Sequence, residues 1–80
     1  MRDNLLIQRL LDELAIAEQH IAQGHRHIGD QLDRIAKQEL AGRDATTSRE
    51  LLDTFLLSQH VFEAHHDHLA RELAEAQRGD

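Results

Sequence analysis

The chain has 80 residues, contains neither cysteine nor proline, and carries a formal net charge of −6 at pH 7. One small domain is therefore expected, and a disulfide-stapled fold or a thiolate metal site is excluded. The excess of acidic residues and the absence of Trp and Tyr argue against nucleic-acid binding, because phosphates would be repelled and bases would find few stacking partners.

The first residues, Met1-Arg2-Asp3-Asn4, lack the long apolar segment of a secretory signal peptide. No apolar run in the chain approaches the roughly 20 residues that a membrane-spanning helix needs. These two features lead us to expect a cytoplasmic protein.

A regular apolar stripe runs through the first half of the chain and predicts a long helix. Its members recur at every seventh position and are Ile7, Leu14, Ile21, Ile28 and Ile35. This heptad spacing is typical of a helix that packs along one side. Asp3 or Asn4 is expected to cap the helix, and Gly42 is expected to end it. The predicted helix covers about residues 4–41.

A short connection, residues 42–46, precedes a second predicted helix over about residues 47–77. Thr47-Ser48-Arg49-Glu50 matches a capping box, in which the Thr47 hydroxyl accepts from the backbone N–H of Glu50. The stripe of this helix alternates steps of three and four residues. Its members are Leu52, Phe55, Gln59, Phe62, His66, Leu69, Leu73 and Ala76.

Two long helices joined by a short connection become antiparallel neighbours. Folding the chain at residues 44–45 pairs Ile28 with Phe62 or Gln59, and Leu14 with Leu73. We therefore predict an all-α fold that consists of one domain, a long antiparallel two-helix hairpin over residues 1–80.

Apolar residues that the hairpin leaves uncovered predict association with a second copy. The first helix is expected to extend beyond the end of the second, and the second helix carries an additional apolar strip. The predicted interface residues are Leu5, Leu6, Ile7, Leu10, Leu11, Leu57, Val61 and Ala64. A helix that is apolar on two sides is normally packed on two sides. We predict a twofold homodimer that forms a four-helix bundle, with a different helical protein as the alternative partner.

The pattern of residues 20–73 is similar to that of a group of short, uncharacterised helical proteins from alphaproteobacteria. The segments that carry the resemblance are His25–Ile28, the turn at Gly42, Leu51-Leu52, Phe55, Gln59-His60, Ala64–Leu69 and Glu72-Leu73. The resemblance implies a small bacterial helical hairpin, and the group has no established activity to carry over. Its members usually have Arg at the position of His68.

Seven histidines form one group on each predicted helix: His20, His25 and His27, then His60, His65, His66 and His68. Glu63 and His66 make a Glu-x-x-His pair, a spacing found in di-iron helical bundles. The predicted pairing places His25 opposite Glu63. Imidazole and carboxylate ligands suit zinc or iron, so these three residues are candidate metal ligands. The alternative is a buried layer in which the same residues and Gln59 hydrogen-bond one another and fix the register.

A second candidate metal site lies on the predicted surface, where His65 and His68 share a helix face opposite His20. No nucleophile accompanied by a base, and no histidine phosphotransfer motif, is found in the chain. We therefore expect a non-enzymatic self-association module without a cofactor, serving as a small regulator or adaptor. The alternative function is a zinc- or iron-binding helical bundle.

Overall fold

The computed structural model describes residues 4–79 and shows an all-α hairpin of two helices, α1 (Asn4–Leu40) and α2 (Thr46–Arg78). The two helices pack against each other along their length, which confirms the predicted hairpin. The hairpin is thin, with extents of 64 × 14 × 12 Å. The expectations about a signal peptide and about a helix cap at Asp3 concern residues 1–3, which lie outside the described part of the chain.

The end of α1 is set by Gly42, which has a φ of +71°. Glycine adopts this left-handed conformation without steric cost. The backbone N–H of Gly42 donates to the carbonyl of Glu39 at 3.0 Å, and the N–H of Arg43 donates to the carbonyl of Gln38 at 2.8 Å. These two bonds form a Schellman motif, which satisfies the last carbonyls of the helix and reverses the chain.

The N-cap residue of α2 is Ala45, which makes no side-chain capping bond, and Asp44 just before it holds the first residue of the helix in place of the predicted capping box. Oδ1 of Asp44 accepts hydrogen bonds from the backbone N–H of Thr46 at 3.0 Å and from its hydroxyl at 2.6 Å. These two bonds lower the pKa of the Asp44 carboxyl. The helix begins before Thr47, so the prediction that Thr47 and Glu50 cap it was wrong.

The register of the hairpin differs from the predicted one by about six residues, which is more than one and a half helical turns. The rings of Phe62 and His20 lie with their centroids 5.3 Å apart, whereas Phe62 was predicted to meet Ile28. The chain reverses at Gly42, two to three residues before the predicted fold point at residues 44–45. In an antiparallel hairpin, the numbers of two paired residues add up to twice the number of the fold point. A reversal two to three residues earlier therefore moves the partner of each residue by about four to six positions.

The main cluster of buried apolar residues lies in the half of the hairpin next to its open end, and Ile35 and Ala45 are buried separately near the turn. Leu10, Ala17 and Leu69 are buried in the main cluster. The partly buried residues packed against them are Leu14, Leu73 and Ala76. Since Leu10 is only 3% exposed, α1 does not extend beyond α2 at this point, contrary to the prediction. The shifted register explains the difference, because it carries the end of α2 further along α1.

At mid-length, the contact between the helices is polar and depends on a glycine. Gln59 is 4% exposed, and its Nε2 donates across the hairpin to the carbonyl of Ile21 at 2.9 Å. The amide lies directly over Gly24, where a Cβ atom would come within 1.7 Å of Gln59 Oε1. Any larger residue at position 24 would therefore force the Gln59 side chain to move.

A second glutamine makes the reciprocal bond nearer the turn. Gln31 of α1 is 5% exposed, and its Nε2 donates to the carbonyl of Ser48 in α2 at 2.8 Å. Each helix thus sends one buried amide to the backbone of the other. Because a backbone carbonyl has a fixed position along its helix, the two bonds fix the axial register of the hairpin.

Candidate interaction surfaces

The candidate metal ligands His25, Glu63 and His66 do not form a binding set in this hairpin. His25 and Glu63 are exposed, and His66 is partly buried. Nε2 of His66 lies 3.4 Å from Glu18 Oε2, and its Nδ1 lies 3.5 Å from Asp67 Oδ1. Over residues 4–79, no group of three or more His, Asp or Glu side chains is placed to hold a metal ion.

The predicted polar layer of histidines, Glu63 and Gln59 is also different from the observed one. Gln59 bonds the backbone of Ile21, not the side chains of His25, Glu63 or His66. The register shift is the physical reason, since it moves His25 away from its predicted position opposite Glu63.

The three histidines of the second candidate metal site have separate surroundings. His20 packs against the ring of Phe62, and Nε2 of His68 pairs with Oε1 of Glu72 at 2.7 Å. His65 is exposed on α2. Within the described part of the chain these side chains are not gathered into a chelating group.

The predicted interface residues divide into buried and exposed ones. Leu10 belongs to the core, and Ile7 is partly buried. The others are exposed, namely Leu5, Leu6, Leu11, Leu57, Val61 and Ala64. Leu57 and Val61 are 66% and 58% exposed, so the apolar strip predicted on α2 faces away from α1.

Over residues 4–79, six further large apolar residues outside the predicted interface set are exposed. They are Ile16, Leu32, Leu40, Leu51, Leu56 and Phe62. Most of them occupy positions next to the heptad stripe. In a compact protein, another helix would cover these flanking positions. The sequence places Ile16 and Leu56 on the uncovered apolar surface, whereas it places Leu32 and Phe62 in the contact between the helices.

One broad side of the hairpin, here called the aromatic face, carries His20 and His27 of α1 and Leu51, Phe55, Ser58 and Phe62 of α2. These residues line two adjoining grooves between the helices. The ring centroids of His27 and Phe55 lie 5.8 Å apart, and this contact resembles that of His20 with Phe62 one heptad away. Positions seven residues apart stay on one side of packed helices, so Glu13 and Arg34 extend this face on α1, and His65 and Glu72 extend it on α2.

The opposite broad side, here called the acidic face, carries Leu11, Glu18 and Leu32 of α1 and Leu56, Glu63 and Asp67 of α2. The ion pair between Arg49 and Glu39 lies on this side near the turn. His66 reaches Glu18 across the same side. The acidic face therefore has exposed leucines, but carboxylates lie among them near its middle.

Comparisons with known proteins give no relative from which a function can be transferred. No protein-family model matches the chain, and no curated protein or solved structure matches it at significant similarity. Neither helix, over the residues described, is both long and apolar enough to cross a membrane.

Proposed function

We propose that this chain is a non-enzymatic self-association module, in which two hairpins pair to form a four-helix bundle. The observation that carries the proposal is the amount of apolar surface that the hairpin exposes. Among residues 4–79, eleven large hydrophobic residues are at least 36% exposed, whereas only five hydrophobic residues are buried. In this capacity the protein would act as a small adaptor or regulator that binds proteins.

The total surface area of the hairpin supports pairing. Its accessible surface is 6107 Å², whereas a compact monomer of 9.2 kDa would expose about 4,900 Å². The surplus is about 1,200 Å² per chain. If two chains each bury that area, the interface totals about 2,400 Å², which lies in the range of obligate homodimers.

The shape of the hairpin leads to the same expectation. The radius of gyration is 18.2 Å, whereas a compact domain of this length has a radius of gyration of about 12 Å. A single layer of two helices has no interior beyond the line where the helices touch. A second layer would give the exposed flanking residues an apolar environment.

Light scattering coupled to size exclusion tests the proposal, because it measures mass independently of the elongated shape. We expect twice the chain mass of 9.2 kDa at micromolar concentration. The melting temperature should also rise with protein concentration, as mass action requires for a dimer that unfolds to monomers. A stable monomer with a concentration-independent melting temperature would reject the proposal.

A further inference from the structure

We infer that a second copy of the chain packs on the aromatic face, and that the acidic face remains exposed to solvent. This inference rests on the self-association proposed above and specifies which surface carries it. Both faces display exposed apolar residues, so the choice between them depends on aromatic content and on the placement of charge.

The two phenylalanines are the only aromatic residues other than histidine in the chain, and neither belongs to the buried core. Phe62 is 36% exposed, and Phe55 is partly buried. Both border the grooves of the aromatic face. Large rings supply much of the energy of protein interfaces and are enriched there. A hairpin that keeps both rings at its surface, on the same side, has its largest apolar groups placed for a partner.

The groove at the middle of the aromatic face, next to Gly24, is lined by no carboxylate, lysine or arginine. The groove there is lined by His20, His27, Ser58 and the two phenylalanine rings. Charged residues of this face lie toward its ends. Glu72 and Glu75 line the groove near the open end, and Lys37 lies near the turn. Asp30 and Arg34, which have opposite charges, line the second groove on the side of the turn. An apolar centre surrounded by a charged rim is the usual arrangement of a protein interface.

The acidic face has the opposite arrangement. Glu18, Glu63 and Asp67 lie near its middle, and the one arginine identified there, Arg49, is already paired with Glu39. A twofold pairing through this face would gather the carboxylates of both copies close together. Like charges that meet in an interface oppose binding, so the exposed Leu11, Leu32 and Leu56 are not sufficient to make this the paired side.

A matched pair of charge insertions distinguishes the two faces. Ser58 lies on the aromatic face and Ala70 follows Glu63 by seven residues on the acidic face, and both are exposed small residues of α2. We expect Ser58→Glu to raise the dimer dissociation constant about a hundredfold, the size of effect found when a central interface position is disrupted. Ala70→Glu should leave it within about threefold, as expected for a residue outside the interface. Light scattering over a dilution series measures both, and circular dichroism reports whether the helices persist.

A second measurement does not depend on a disruptive substitution. Because the native chain has no cysteine, Ser58→Cys and Ala70→Cys each introduce one thiol with a small change in volume. We expect the rate of maleimide labelling at position 58 to fall at least tenfold as concentration is raised through the dimer range. The rate at position 70 should stay constant.

The outcomes separate the two proposals. If the native chain dimerises but position 70 is the one that is protected and charge-sensitive, the aromatic face is the wrong surface while self-association stands. Equal protection at both positions would likewise overturn the choice of face. If the native chain is a monomer at every concentration, both proposals fall.

Discussion

Between Leu10 and Ala17 the two helices meet through aliphatic side chains, whereas between Ile21 and Gln31 they meet through buried amides. We refer to these regions as the apolar half and the amide half. Burial of aliphatic groups is strongly stabilising but has no direction, so many axial offsets satisfy it about equally. A hydrogen bond to a backbone carbonyl requires one offset. The apolar half thus supplies most of the stability, and the amide half selects the register.

The largest effect is expected from Leu69→Ala, which removes a 3% exposed side chain from the apolar half. The free energy of unfolding should fall by about 2–3 kcal/mol, the lower part of the range for buried leucine, because neighbours in so thin a hairpin can relax into the gap. Chemical denaturation at a fixed protein concentration measures the change. Leu40→Ala is the control, since Leu40 is 89% exposed; equal losses in the two variants would contradict this picture of the core.

Gly24→Ala tests the close contact in the amide half. Alanine favours a helix by about 1 kcal/mol over glycine, but its Cβ would displace the Gln59 amide. We expect a double-mutant cycle with Gln59→Ala to give a coupling of about 1–2 kcal/mol, with Gly24→Ala stabilising only when the amide is absent.

Gly29→Ala is the matched control for that cycle, because no atom lies within 4 Å of the added Cβ. It should stabilise the hairpin by about 1 kcal/mol whether or not Gln59 is present. If the effects of Gly24→Ala and Gln59→Ala on the free energy of unfolding are also additive, the position of the Gln59 side chain does not depend on the glycine.

Replacement of both glutamines by leucine tests whether the amide half sets the register. The variant Gln31→Leu/Gln59→Leu should change the free energy of unfolding by less than about 1 kcal/mol, because the lost bonds are offset by apolar burial. The distance between spin labels on the two helices should, however, become broadly distributed. Labels at Gln19→Cys and Arg71→Cys, diluted with unlabelled chain, report this by pulsed electron resonance. An equally narrow distribution in both proteins would assign the register to the turn alone.

The smallest effect is expected at the turn. Lowering the pH distinguishes the contribution of Asp44 to stability from that of the contact between the helices. The pKa of this carboxyl is lowered by its bonds to Thr46, so the carboxylate stabilises the fold above the unfolded value of 3.8 and loses this effect as the pH falls through the folded pKa. Asp44→Ala should lower the melting temperature at pH 7, and the difference from the native chain should shrink toward pH 2.

Asp44→Asn serves as the control in the same melts, because the amide oxygen can accept the hydrogen bonds from Thr46 at every pH. Its melting temperature relative to Asp44→Ala should not depend on pH. A constant difference between the native chain and Asp44→Ala across the acid range would instead show that the ionised form has no special part in the turn.

The sequence predicted the candidate surfaces less well than the fold. It identified Leu57 and Val61 as exposed apolar residues, but it placed Leu10 in the interface and Phe62 inside the hairpin. Each of these differences follows from the register. Which flanking residue is covered depends on what lies opposite, and a heptad stripe gives no information about that.

Local sequence determined the two helices and the point where the chain reverses. The seven-residue spacing of Ile7 to Ile35 and the single left-handed glycine at position 42 are local properties, set by helix geometry and backbone sterics. The turn at Gly42 limits the possible axial offsets of the two helices, but only the tertiary structure decided the exact offset, the burial of Gln31 and Gln59, and the side on which Phe55 and Phe62 are exposed. These features depend on contacts between residues far apart in the chain. A repeating apolar pattern is compatible with several pairings of the helices, and the directional bond of Gln59 together with the close approach of its side chain to Gly24 selects one of them.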